Sequence, residues 1–130
     1  MHETLSVITD NINVTAISSY IAAQSKPEDQ QYVFSYTITI TNNSNESVQL
    51  LSRYWKITDA DGKVTTVEGK GVIGEQPNIS PAKNYTYTSG SLLKTPVGTM
   101  QGYYKMITSK GENIDVEIPV FRLAIPNILN

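Results

Sequence analysis

Between residues 32 and 41 the chain alternates without a break. Tyr32, Phe34, Tyr36, Ile38 and Ile40 fall on one side, and Val33, Ser35, Thr37, Thr39 and Thr41 on the other. Successive side chains of an extended strand point to opposite faces, so this pattern predicts a strand with one buried face. Asn42-Asn43-Ser44-Asn45 supplies the turn after it, because asparagine tolerates left-handed backbone and bonds its own main chain. A second strand is predicted over 48–58. Val48, Leu50, Leu51, Trp55 and Ile57 place apolar groups on both of its faces, which makes it a central strand. Asp59-Ala60-Asp61-Gly62 then closes a hairpin into 63–68, with Gly62 available for the positive φ of such turns. Further strands are predicted over 84–89, 98–108 and 114–123, and an earlier one within 12–23. Pro119 interrupts the last pattern and cannot donate to a ladder, so an edge or a bulge is expected there.

About seven short strands separated by turn signals, with no helical stretch, predict an all-β fold. The expected architecture is an antiparallel β-sandwich of immunoglobulin or fibronectin type III kind, with 1–130 forming one domain. The chain has 130 residues, enough for an apolar core without metal or disulfide support, and it contains no cysteine. No basic and apolar leader precedes the first strand and no apolar run reaches membrane-spanning length, so a cytoplasmic protein without membrane insertion is expected. Net charge is −2 and the basic residues are scattered. A nucleic-acid backbone is therefore not an expected ligand.

Gly69-Lys70-Gly71-Val72-Ile73-Gly74 has G-x-G-x-x-G spacing. A dinucleotide site needs a helix after those glycines, to hold the pyrophosphate at its N-terminus. Here Glu75-Gln76-Pro77-Asn78-Ile79-Ser80-Pro81 follows, with two prolines and no helical periodicity. A phosphate-binding P-loop is also excluded, because Glu75 stands where lysine is required. Two readings stay open. The glycines either shape a turn or bulge, or form a loop whose bare amides receive an anion beside Lys70, with Glu68 and Glu75 opposing it.

Several segments together carry a family resemblance: Arg53-Tyr54-Trp55-Lys56-Ile57-Thr58-Asp59, Glu68-Gly69-Lys70-Gly71-Val72-Ile73-Gly74-Glu75-Gln76-Pro77, Thr95-Pro96-Val97-Gly98-Thr99-Met100-Gln101-Gly102-Tyr103-Tyr104 and Ile118-Pro119-Val120-Phe121-Arg122-Leu123. In this order they resemble the bacterial ApaG family, also called CorD. The resemblance implies a fibronectin-III-like sandwich, often dimeric, and an association with cobalt resistance and magnesium efflux. Related domains occur in eukaryotic F-box proteins and in a polymerase-interacting protein, which implies a binding module. Two positions depart from the family pattern: Ala82 stands where glycine is usual and Ile114 where an aromatic is usual.

Catalysis is not expected. His2 is the sole imidazole, so Ser89 has no base to activate it, and no histidine metal site is available within one chain. Asp59-Ala60-Asp61-Gly62 begins like a calcium loop but places Lys70 at the closing position. Asp59 with Asp61, or Asp115 with Glu117, offers only a weak carboxylate pair, so neither metal nor cofactor is predicted. Most aromatics are expected in the core, and any left outside become contact candidates. Arg53, Tyr54 and Arg122 are the interaction candidates, since tyrosine and arginine anchor interfaces. Gly69, Lys70, Gly71 and Gly74 are the candidate anion loop. The expected partners are a protein or peptide, a second copy of the chain, or a phosphate-containing small ligand such as pyrophosphate or a nucleotide.

Overall fold

Two antiparallel sheets face each other across one apolar cluster. The computed structural model describes residues 4–127. In chain order the elements are α1 (Leu5–Asp10), β1 (Ile12–Tyr20), β2 (Tyr32–Asn42), β3 (Val48–Asp59), β4 (Val64–Lys70), β5 (Asn78–Ile79), β6 (Asn84–Leu93), β7 (Val97–Thr108) and β8 (Asn113–Ala124). The small sheet has the order β1-β2-β6. The large sheet has the order β4-β3-β7-β8, with β5 paired to the start of β3.

Strand parity decides what is buried. Phe34, Tyr36, Ile38 and Ile40 of β2 point inward to meet Trp55 of β3, Met100, Tyr104 and Met106 of β7, and Ile114, Val116 and Ile118 of β8. Strand β3 is central as expected, lying between β4 and β7. A bulge between Leu50 and Ser52 explains why its apolar residues fall on both parities: the extra residue lets Leu50 and Trp55 both reach the core. Pro119 lies where the β7–β8 register shifts, and β8 is an edge strand, so both reasons for tolerating a proline apply.

The expectation of no helix is corrected by α1. Its six residues are too few to show helical periodicity; Thr4 caps it by accepting from the Val7 amide, and Ile8 anchors it in the core. Strand β5, a two-residue pairing with Val48 and Gln49, has no counterpart among the expected strands. The two departures from the family pattern differ in consequence. Ile114 is a buried core residue, whereas Ala82 has φ 66°, the left-handed backbone that glycine adopts without strain.

Candidate functional site

Gly69 and Lys70 end β4, and the chain then folds into a minimal hairpin. Val72 and Glu75 exchange backbone hydrogen bonds of 2.8 and 2.9 Å, with Ile73 at φ 42° and Gly74 at φ 80° between them. Positive φ at both central residues is what a two-residue turn of this twist requires. Gly71 is held at φ 65°, its amide donates to the Leu51 carbonyl, and a Cβ there would lie 2.3 Å from the Glu75 oxygen. The Gly71, Val72 and Glu75 amides therefore already have acceptors within the protein.

Arg53 belongs to this loop. Its guanidinium donates to the carbonyls of Gly71 at 2.9 Å and Lys70 at 3.3 Å. Arg53 pairs directly with Gly69, and a Cβ on Gly69 would stand 2.6 Å from the guanidinium. The bare backbone of Gly69 makes room for the arginine.

Tyr54, the next residue, points the other way. On the outer face of the large sheet it lies opposite Tyr103 in register, and the two rings stack with centroids 5.1 Å apart and planes 25° from parallel. The cross-strand row reads Glu68, Tyr54, Tyr103, Glu117 from β4 to β8. The adjacent row reads Lys70, Ser52, Lys105, Asp115. A hollow of about 340 Å³ lies beside the rings toward Lys70 and Lys105, and another of about 380 Å³ lies toward Asp115 and Glu117. None of these charged side chains takes part in the one ion pair found among the described residues, Lys110 with Glu46. Gly102 lets the strands close beneath the stack, because a Cβ there would stand 1.8 Å from the Tyr54 carbonyl oxygen.

Between the two sheets lie different tyrosines, Tyr104 from β7 of the large sheet and Tyr87 and Tyr36 from β6 and β2 of the small one. Tyr87 and Tyr104 are buried and share a short hydroxyl–hydroxyl hydrogen bond. Burial pushes both hydroxyls well above the ordinary tyrosine range, and Tyr36 beside them is raised for the same reason. Ser89 lies opposite Tyr36 in the β2–β6 register. The Tyr36, Trp55 and Phe121 rings cluster edge-on or tilted, and the buried Trp55 indole N–H has no acceptor.

Sequence reasoning thus named three interaction candidates that the fold separates. Arg53 lies against the loop carbonyls, Tyr54 lies on the outer face, and Arg122 is exposed farther along β8, its carbonyl accepting from Ser18 at 2.6 Å. Tyr103 was read with the other aromatics, and only its pairing with Tyr54 distinguishes it. Asp115 and Glu117 do share one exposed face. The Asp59 carboxylate accepts from the Asp61 and Lys63 amides at 2.9 and 3.0 Å, forming a turn. Among the described residues no three His, Cys, Asp or Glu side chains gather to hold a metal ion, and no helix is long and apolar enough to cross a membrane. His2 lies outside the described residues.

Comparison with known proteins agrees with the fold. An X-ray structure of a structural-genomics target superposes with a TM-score of 0.89 at 48% identity, covering 94% of this chain and 92% of its own. A crystal structure from Bordetella pertussis, titled as an ApaA protein, gives 0.87 at 43% identity, covering 89% and 94%. Protein ApaG of Photobacterium profundum is 56% identical over 119 residues, 92% of this chain and 94% of that one. Protein ApaG of Proteus mirabilis is 51% identical over 122 residues, 94% and 98%. The ApaG domain family matches residues 22–108, and with these relatives it establishes that the chain belongs to the ApaG family.

Proposed function

We propose that the protein is a non-enzymatic binding module that recognises a protein partner through the outer face of its large sheet. The observation that carries this reading is the stacked, half-exposed Tyr54–Tyr103 pair on the outer face of the large sheet, with a hollow on each side. Rigid tyrosines give large contact area at small entropic cost and anchor interfaces more often than most residues do. On this reading the association of the family with cobalt resistance and magnesium efflux acts through the partner.

A photocross-linking residue at Gln101, beside the stack, tests the proposal in the native cell. A control cross-linker replaces Thr88 on the outer face of the small sheet. The expected result is a discrete adduct from Gln101 alone, lost in the Tyr54→Ser/Tyr103→Ser double variant; an adduct at twice the chain mass would make the partner a second copy. Identical products from both positions, or none from Gln101, would overturn it.

A second reading is favoured by Arg53 and Lys70, two cations without carboxylate partners at the 69–75 loop. It is a site for phosphate, pyrophosphate or a nucleotide at Gly69, Lys70, Gly71 and Gly74. Titration with pyrophosphate, ATP and Mg²⁺ should then move those four amides, and Lys70→Ala should weaken the effect. Silence of the loop amides would end this reading.

A further inference from the structure

The two hollows beside the tyrosine stack differ in sign. Toward β4 and β7, Lys70 and Lys105 outnumber Glu68; toward β8, Asp115 and Glu117 outnumber Lys56. None of the six is paired with another within the sheet. Lys70 and Asp115 stand in one cross-strand row on the first and last strands of β4-β3-β7-β8, three strand spacings apart. At roughly 4.8 Å per spacing that is about 14 Å. An extended peptide rises about 3.3 Å per residue, so its residues i and i+4 lie about 13 Å apart, on the same side as residue i+2.

Resting on the binding-module reading above, we infer that this face takes an extended segment of a partner protein with the pattern acid-x-aromatic-x-base, lying across the strands. The acidic side chain sits over Lys70 and Lys105, the aromatic one packs on the Tyr54–Tyr103 stack, and the basic one meets Asp115 and Glu117. Because the peptide crosses the strands without joining their ladder, the charges alone set its direction, N to C from β4 toward β8. Charge pairing at an exposed face adds little affinity but selects orientation and rejects like-charged partners.

The test titrates the isotope-labelled full chain with acetyl-Asp-Ser-Tyr-Ser-Lys-amide. Two control peptides carry Asp at both ends or Lys at both ends, and a third carries glycine at the centre. The mixed-charge peptide should move the amides of Tyr54, Tyr103, Lys105 and Glu117, and each control should bind about fivefold more weakly. In the Lys70→Glu/Lys105→Glu variant, whose amide spectrum checks its fold, the preference should pass to the peptide with Lys at both ends. Equal binding of all charge patterns would overturn the inference, as would an unchanged preference in the variant or no shifts on this face. Equal binding of the Tyr-centred peptides, lost in Tyr54→Ser/Tyr103→Ser, would leave the binding-module reading standing; a cross-linking failure at Gln101 would remove that reading as well.

Discussion

Tyr104 is fully buried with its hydroxyl bonded to Tyr87, while Tyr103, the residue before it, is half-exposed and stacks on Tyr54 on the outer face of the large sheet. Arg53 and Tyr54 divide in the same way: the arginine secures the glycine hairpin and the tyrosine faces outward. One strand residue's difference separates a side chain that builds the sandwich from one free to meet a partner. A third surface sharpens the contrast. The outer face of the small sheet carries Thr37–Thr88 and Thr39–Thr86 hydroxyl pairs at 2.9 and 3.1 Å, with no aromatic stack and no charged row. Those four hydroxyls bond one another, whereas the charged groups around Tyr54 and Tyr103 form no ion pairs.

The largest break in this comparison is expected from truncation. Tyr104→Ala should cost about 3–5 kcal/mol of unfolding free energy, as for other buried aromatics, while Tyr103→Ala should cost less than about 1 kcal/mol. Urea denaturation of the two variants measures both, and equal losses would erase the distinction.

A smaller break is expected from alkali. Burial holds the Tyr87 and Tyr104 hydroxyls above the ordinary tyrosine range of about 10 in the folded protein, so the unfolded chain releases these protons first. Their contribution to stability is full below pH 10 and declines as pH rises above it. Urea midpoints followed from about pH 8 to 12 should fall along the upper part of that range, and Tyr87→Phe/Tyr104→Phe should flatten the fall. Tyr103→Phe should leave the slope unchanged. At neutral pH, Tyr104→Phe alone should cost about 1–2 kcal/mol by leaving the Tyr87 hydroxyl without its buried partner.

Smaller still is a gain. Ala82→Gly should stabilise the protein by about 1 kcal/mol, because the left-handed backbone at φ 66° strains any residue with a Cβ. Ile73→Asn, at φ 42° in the hairpin, should act in the same direction. Thermal melts measure both, and neither should affect binding on the tyrosine face.

Much of the fold was legible because period-two alternation reports burial directly. The run from Tyr32 to Ile40 gave β2, and the mixed face of 48–58 marked the central strand. Helix α1 was not legible, since it buries only Ile8 and shows no repeat. Strand β5 is a product of tertiary pairing with Val48 and Gln49, which no local signal encodes. The candidate site was half legible. Residue type pointed to Tyr54, but Arg53 and Arg122 drew attention for the same reason, and only strand parity and register separate them. Tyr103 could be told from Tyr104 only once β3 and β7 were paired, because the bulges at Leu50/Ser52 and Met100/Gly102 break simple counting.

The central proposal is that the outer tyrosines anchor the partner. Selection of a random extended-peptide library on the intact chain tests it most directly, run in parallel on Tyr54→Ser/Tyr103→Ser and on Thr37→Ala/Thr88→Ala. The account predicts a peptide family enriched by the parent chain and by the threonine variant and absent from the tyrosine variant. Enrichment of the same family by the tyrosine variant would contradict it.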